Sequence, residues 1–522
     1  MTERLFGVET EYALVEVGSF DRDGLASSLI ARAKSHLPHI PDIGGTGIYL
    51  QNGARFYVDC GRHPEMATPE VANPWDVVRY ILAGDRMLEH LALVSAPGEP
   101  PPPPTLLFLK NNVDYVGTAT WGCHESILHS ADPATFPAQI IPHLVSRIVF
   151  TGAGGFNPRS PGLAFMVSPR AVYFEKVVSG DSTSNRGIFH TKNEPLCGKG
   201  YNRLHILCSE SLCSETAMWL RTAATVLVVA MIEAGVAPGD AVTLQAPIDA
   251  LRTVAADPRC SATVALADGS RTTALAIQRH YLALAEAHVG DDFMPPWADE
   301  VCRRWRAVLG QLETAPLGVS TSLDWAIKRV LYEQRARRHG FSWQNLADWT
   351  EVLTKLRALL SEVNVAWPLT VEVLLDPAGP VHDVVRHLRP LLHGRGLRWD
   401  QLEAFFHLRQ ELLEADTRFG QLGGRGVFAA LDRSGVLAHH VPGVDNIEQA
   451  IENPPAFGRA RLRGELVRRF AGGNGRYRCS WLIVLDRQAE MVCDLSEPFD
   501  CSERWQPLPK SPKSDGGLSP LD

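Results

Sequence analysis

Two stretches decide the fold class: Leu5-Phe6-Gly7-Val8-Glu9-Thr10-Glu11-Tyr12, and Gly47-Ile48-Tyr49-Leu50-Gln51-Asn52-Gly53-Ala54-Arg55-Phe56-Tyr57-Val58-Asp59. The first alternates apolar and acidic positions with the two-residue period of a strand, which puts Glu9 and Glu11 on one face. The second is a pair of apolar runs joined by Asn52-Gly53, the strongest short-range hairpin signal. Tyr57 and Asp59 repeat the alternation on the returning strand, and Glu65 and Glu70 follow it. Acidic residues are poor strand formers, so such a pair within an apolar strand has a local cost. Alone, Glu9 and Glu11 read as the solvated side of an edge strand. Two acidic faces meeting on one sheet read differently, because crowded carboxylates repel one another unless a cation neutralises them. Oxygen donors suit Mg²⁺ or Mn²⁺ rather than Zn²⁺. A divalent cation held on a β-sheet is the expectation.

Working outward, helices are expected over 24–37 and from Pro74 to about Leu93, then a stiff Pro100–Pro104 linker and a strand at Leu106–Lys110. Further strands are expected over 163–178 and 203–209, around a polar loop at 179–202. Ser214 is placed to cap a long apolar helix that Gly235 stops. From about 244 to 420 the pattern is mainly helical. A helix at Arg459–Phe470 and strands at Cys479–Leu485 and Ala489–Cys493 indicate a small α+β domain over 441–506, and 507–522 reads as a flexible tail.

Composition narrows the function classes. The 522 residues are 45% hydrophobic and 21% charged, which excludes overall disorder. Fifty-one Lys+Arg against 59 Asp+Glu leaves a net charge of −8, a poor match for nucleic-acid binding. Ten cysteines without a Cys-x-x-Cys pair read as reduced thiols, hence a cytoplasmic location. No leader is expected, and the apolar run Ala223–Ile232 is too short to span a bilayer, so no membrane partner is expected. No Walker A motif, nucleophile elbow or zinc signature is present.

Two more groups carry chemistry. Lys110-Asn111-Asn112 and Gly122-Cys123-His124-Glu125 flank a turn whose amides could aim N–H groups at phosphate, with His124 and Glu125 extending the acidic cluster. Arg186, His190, Lys192, Arg203 and His205 form a cationic set that suits a triphosphate opposite a carboxylate–metal site; ordinary surface basics are the alternative.

Taken in order along the chain, these pieces resemble the Pup ligase and depupylase family of the carboxylate-amine ligase, glutamine synthetase-like superfamily. The resemblance rests on Gly7–Tyr12, the Asn52–Asp59 hairpin, His63-Pro64-Glu65, Pro69-Glu70, Lys110-Asn111-Asn112-x-Asp114, Gly122–Glu125 and Arg203-Leu204-His205. It continues through Ser214-Glu215-Thr216, Asp324–Arg329, Gly424–Phe428 and Arg459–Glu465. It implies an α+β fold: a curved antiparallel sheet backed by helices that cradles ATP and two or three Mg²⁺ ions (Mn²⁺ as a substitute). Residues 1–440 would form the catalytic domain, with about 341–400 a helical insertion relative to shorter ligases. Glu9, Tyr57 and Glu65 would ligate metal, with Glu11, Glu70 and Glu125 as further candidates. Asp59 matches the family's catalytic aspartate. Arg203, His205, Asn112, His124 and Lys110 would face ATP and its phosphates, and Arg186, Lys192 and Arg55 the substrate.

The implied activity is ATP-dependent phosphorylation of a carboxylate for attack by an amine, with a Pup-like protein as candidate substrate. One alternative moves the γ-phosphoryl group to a small-molecule hydroxyl; another is an inactive nucleotide-binding homologue. The chain departs from the family at His190-Thr191-Lys192-Asn193, where Asn-Thr-Arg-Asp is usual, and at Asn202, where an Arg is expected. It lacks the long extra loop of depupylases between Tyr12 and Asn52, yet Pro69–Pro74 resembles the depupylase version.

Overall fold

The computed structural model describes residues 4–16, 22–94, 106–180, 185–190, 195–367, 372–373, 376, 378–473 and 475–509. The Pro100–Pro104 linker, Lys192 and the chain after 509 lie outside the described residues. Strands are β1 (Phe6–Glu11), β2 (Ala13–Glu16), β3 (His39–Pro41), β4 (Gly47–Leu50), β5 (Arg55–Val58), β6 (Pro64–Ala67) and β7 (Leu106–Leu109). They continue with β8 (Cys123–His129), β9 (Gly155–Phe156), β10 (Phe165–Met166), β11 (Lys176–Ser179), β12 (Gly187–His190) and β13 (Asn202–Ile206). Nine of them build one sheet in the order β11-β12-β13-β8-β1-β6-β5-β4-β3. Every pairing in it is antiparallel except β11–β12, which is parallel. The strand expected over 163–178 is broken in two: a 3₁₀ turn at Pro169–Tyr173 separates β10 from β11. Pro169 accounts for this, since it cannot donate to a ladder.

The sheet is two-sided because β1 and β8 alternate. Phe6 and Val8 face a core shared with Val77, Val78 and Ile81 of helix α1 (Pro74–Leu91) and with the apolar length of helix α2 (Glu215–Glu233). Asn73 caps α1, its side chain accepting from the Asp76 N–H, and Pro74 opens the first turn. Ser214 caps α2 by accepting from Ala217 N–H. Among the described residues α2 is the one helix long and apolar enough to cross a membrane, and 89% of its apolar window is buried inside the protein. It is a core helix.

The predicted hairpin forms between β4 and β5, with Tyr49 opposite Arg55. Gly53 turns it at φ +82°, and Asn52 Oδ1 accepts from Ala54 N–H. The helix Gly458–Phe470 and a four-stranded sheet of Tyr477–Cys479, Ile483–Asp486, Met491–Asp494 and Trp505–Pro507 pack against β3 and β4 through Ile40 and Tyr49. Across 341–400 the described residues are helical at Leu346–Glu362, Pro380–Arg386 and Arg389–Gly394.

Candidate functional site

Residues directly opposed in an antiparallel pair share a face. Register therefore assembles the polar side of the sheet. Glu65 on β6 stands opposite both Glu11 of β1 and Tyr57 of β5. Glu9 stands opposite His124 of β8, and Ser126 opposite His205 of β13, which in turn faces His190 of β12. Three overlapping groups of ligand atoms result, each within 4.8 Å: Glu9 with His124 and His205, Glu11 with Glu65 and His124, and Glu11 with Asp59 and His63.

The supports of this face are specific. Glu11 Oε2 accepts from Gly122 N–H at 2.7 Å. A Cβ on Gly122 would stand 2.3 Å from His124 Nε2, so glycine there is what lets the imidazole lie over the strand. His124 Nδ1 is 3.9 Å from Glu9, and its Nε2 4.0 Å from Glu11. Asp59 sits in the β5–β6 turn, where Arg62 adopts φ +64° and His63 N–H donates to Asp59 Oδ1 at 2.6 Å. His63 Nδ1 lies 3.4 Å from Asp59 Oδ2 and 3.6 Å from Glu11 Oε2, with its ring 5.7 Å from that of Trp121.

Electrostatics separate the members. Burial, together with the charges of Glu9 and Glu11, pushes the Glu65 carboxyl well above the usual carboxylate range. Burial and the same Glu65 and Glu9 push the Tyr57 phenol upward. Burial also opposes ionisation of Glu9, but the His124 hydrogen bond and the nearby His205 and Arg203 outweigh it and hold Glu9 at about 2. Burial keeps His205 neutral by depressing it well below its ordinary value, while its Nδ1 contacts Ser126 Oγ at 3.0 Å. Crowded oxygen donors, one pushed toward its protonated form by its neighbours, are the chemistry that a bound divalent cation relieves. The donor set of Glu9, Glu11, Glu65 and Tyr57 therefore fits Mg²⁺, and the imidazoles beside it extend the fit to Mn²⁺.

Several residues expected here are held by partners of their own. Glu125 points to the other side of β8, as alternation from His124 requires; it is 2.6 Å from Arg147 Nη2 and 2.5 Å from Ser209 Oγ, with Arg221 at 3.6 Å. Glu70 is claimed by Arg459 at 2.7 Å and by Arg463, which carry its carboxyl down to about 2 against burial. Lys110 Nζ is buried 2.5 Å from Asp85 and also donates to Leu212 O. Asn112 clasps Ser211, accepting from its N–H at 2.7 Å and donating to its carbonyl at 3.0 Å. None of these four stands in the ligand groups. Arg55 stacks 4.1 Å over the Tyr57 ring and pairs with Asp42 at 2.7 Å, so it braces Tyr57. Arg186 donates to Thr120 Oγ1. Arg203, opposite Leu128, lines a pocket with Glu9, Glu70 and Arg459.

His63 was visible in sequence only as a neighbour of the acidic set; its partnership with Asp59 comes from the turn. Arg170, buried and donating to Leu207 O and Ser209 O, places its charge near Glu11 and had no sequence signal.

Fold and site together define an enzyme built on a sheet whose polar face gathers carboxylates, imidazoles and arginines. The chain belongs to the Pup-ligase protein family, whose model matches residues 4–357 and 391–485. Pup–protein ligase 1 of Rhodococcus erythropolis is 30% identical over 510 residues, spanning 96% of this chain and 97% of that protein. The Pup deamidase/depupylase of Mycolicibacterium smegmatis is 38% identical over 310 residues, 58% of this chain and 61% of that one. In fold, the chain is similar to the ligase PafA solved in complex with the prokaryotic ubiquitin-like protein Pup, with a TM-score of 0.70 at 24% identity over 96% of this chain and 90% of that one. PafA solved with ADP gives a TM-score of 0.62 at 24% identity, covering 88% of each chain. The glutamine synthetase-like α+β fold is thus the observed one. The family match breaks at 358–390, inside the stretch read as an insertion.

Proposed function

We propose that this protein is an ATP-dependent ligase that joins a carboxylate to an amine, with a Pup-like protein as the carboxylate donor. The observation that supports this most directly is the single sheet face carrying Glu9, Glu11, Glu65, Tyr57 and Asp59 in a chain similar to Pup–protein ligases from end to end. In this reading Glu9, Glu11, Glu65 and Tyr57 hold Mg²⁺, and Arg203 and His205 face the phosphates. Held by these residues, a divalent cation would supply charge neutralisation at the phosphates during phosphoryl transfer. The substrate carboxylate takes that group, forming an acyl phosphate and ADP. The amine then attacks the acyl carbon, the carbon–oxygen bond to phosphate breaks, and inorganic phosphate leaves. Asp59, whose Oδ1 accepts from the His63 N–H, would take the amine's proton in this reading. Arg186 is left to orient substrate; Lys192 keeps that role only as a sequence-based proposal. Cysteines that form no disulfide among the described residues suit a cytoplasmic setting.

The family membership favours a protein ligase over transfer to a small-molecule hydroxyl, and a hydroxyl-bearing acceptor is not carried forward. Incubation with ATP, Mg²⁺, Pup and a lysine-bearing protein tests the proposal. An isopeptide-linked product by mass spectrometry, with ADP formed only when both proteins are present, is expected; ADP formed without conjugation would overturn it. The 38% identity to a depupylase supports one second reading, hydrolysis of the same bond. Supplying a preformed conjugate in a parallel reaction distinguishes the two.

A further inference from the structure

A small pocket lies between the Tyr115–Gly117 turn and the helix Gln401–Thr417, away from the carboxylate face. Its volume is about 90 Å³, and Tyr115, Asn157, Ser160, Arg357, Trp367 and Arg409 are among its walls. That is space for several water molecules, hence for a carboxylate or a phosphate group but not for a nucleotide.

Arg409 is the unusual wall. Only 7% of it is exposed. Its Nε donates to Pro161 O at 3.0 Å and its guanidinium lies 5.4 Å from the Trp367 ring. Among the described residues it forms no ion pair, and burial, with no anion to offset it, pulls it down to about 10. Arg147 and Arg221 are balanced by Glu125 and Arg463 by Glu70, while Arg170, buried like Arg409, spends its N–H groups on the Leu207 and Ser209 carbonyls. A buried cation without a counter-charge is costly, and the cost is removed by an anion at its free N–H groups. Arg357, at the exposed rim, engages among the described residues the Arg159 carbonyl at 3.4 Å. Asp114 and Glu414 line the neighbouring cleft but not this pocket.

We propose that this pocket is an oxyanion site, with Arg409 as its anchor and Arg357 as its rim, taking either the carboxylate of an acidic peptide or a phosphate group. The pocket shares Tyr115, Val116, Arg409 and Leu413 with a larger cleft of about 540 Å³, and that cleft runs to Trp121 beside His63. A segment lying in the cleft with one carboxylate or phosphate seated in the pocket would therefore link the pocket to the carboxylate face. Trp367 comes from the 358–390 stretch that the family match skips, so the pocket is partly this chain's own feature.

The test is calorimetric titration of the full chain with two probes, inorganic phosphate and a synthetic Glu-Gly repeat peptide, in wild type, Arg409→Gln, Arg409→Lys and Arg357→Gln. Saturable binding of at least one probe is expected, weakened tenfold or more in Arg409→Gln, less in Arg409→Lys, and about threefold in Arg357→Gln. Tighter binding of the peptide would identify a protein segment as the source of the anion; binding of phosphate alone would identify a free or terminal phosphate. No saturable binding of either probe to wild type, or equal binding by wild type and Arg357→Gln, overturns the proposal, and neither result depends on Arg409→Gln folding. The assay contains neither ATP nor Pup, so it fails or succeeds independently of the ligase reading.

Discussion

His124 and Glu125 are adjacent on β8, yet they belong to two electrostatic regimes. On the His124 side, Glu9, Glu11 and Glu65 crowd together, and burial with the charges of Glu9 and Glu11 pushes Glu65 toward protonation. On the Glu125 side, one carboxylate meets Arg147, Arg221 and Ser209, and is held below the usual carboxylate range despite burial. Compensation, not the number of acidic residues, separates the two. A carboxylate whose charge the protein itself balances reads as scaffold; Glu65, whose charge burial and its neighbours oppose, reads as a group kept for a ligand. Glu70, balanced by Arg459 and Arg463, belongs with Glu125.

The largest effect expected is on turnover. Asp59→Asn keeps the turn, because an amide oxygen can still accept from His63 N–H, but removes the base. Turnover should fall by about a thousandfold, with nucleotide binding unchanged by calorimetry. Retained activity would take Asp59 out of the mechanism and leave the crowded face without its base.

On the scaffold side, Glu125→Ala leaves Arg147 and Arg221 buried without their counter-charge. A loss of about 3–5 kcal/mol in denaturant unfolding is expected, with or without Mg²⁺. A mild loss that appears only when Mg²⁺ is present would return Glu125 to the metal set and collapse the contrast.

Glu70 gives the same contrast as a pH dependence. Its carboxyl is lowered from the ordinary 4.5 to about 2, so the folded state binds fewer protons than the unfolded one between those values. The stabilisation is complete above about pH 4.5 and is lost as pH falls toward 2. Roughly 3 kcal/mol should disappear across that window. Unfolding curves of wild type and Glu70→Gln should therefore converge in acid and separate near neutrality. Parallel curves would mean that the Arg459 and Arg463 contacts contribute nothing to stability.

Much of this was legible in sequence, for identifiable reasons. Period-two alternation placed Glu9 and Glu11 on one face, and Asn52-Gly53 set the hairpin that brings Tyr57 opposite Glu65. The same rule, applied to His124-Glu125, already forbids both from facing one site; only the burial of Glu125 with its arginines makes that visible. The partners of Glu70 and Lys110 could not be read locally: Arg459 and Arg463 lie on a helix nearly four hundred residues from Glu70, and Asp85 reaches Lys110 from a separate helix. No local pattern encodes such pairings. His63 and Arg170 owe their positions to a tight turn and a 3₁₀ segment, where side-chain direction follows backbone detail rather than period.

The smallest expected effect is the sharpest discriminator. Glu65 is a carboxyl whose folded-state titration lies above its ordinary value, so the unfolded chain gives up its proton first as pH rises. In that direction stability falls with pH, the reverse of Glu70. Glu65→Gln keeps the shape and cannot ionise, so it should stabilise the metal-free protein near neutral pH by roughly 1–2 kcal/mol. The gain should shrink in acid, where wild-type Glu65 is protonated in both states. Saturating Mg²⁺ should then raise the melting temperature of wild type and have much less effect on the variant, because a ligand stabilises only the state that binds it. A charged residue whose removal strengthens the empty protein and weakens its response to metal is one retained for binding rather than for folding. If Glu65→Gln instead destabilises the metal-free protein as Glu125→Ala does, the two sides of the sheet are electrostatically alike and the assignment of a metal-binding face fails.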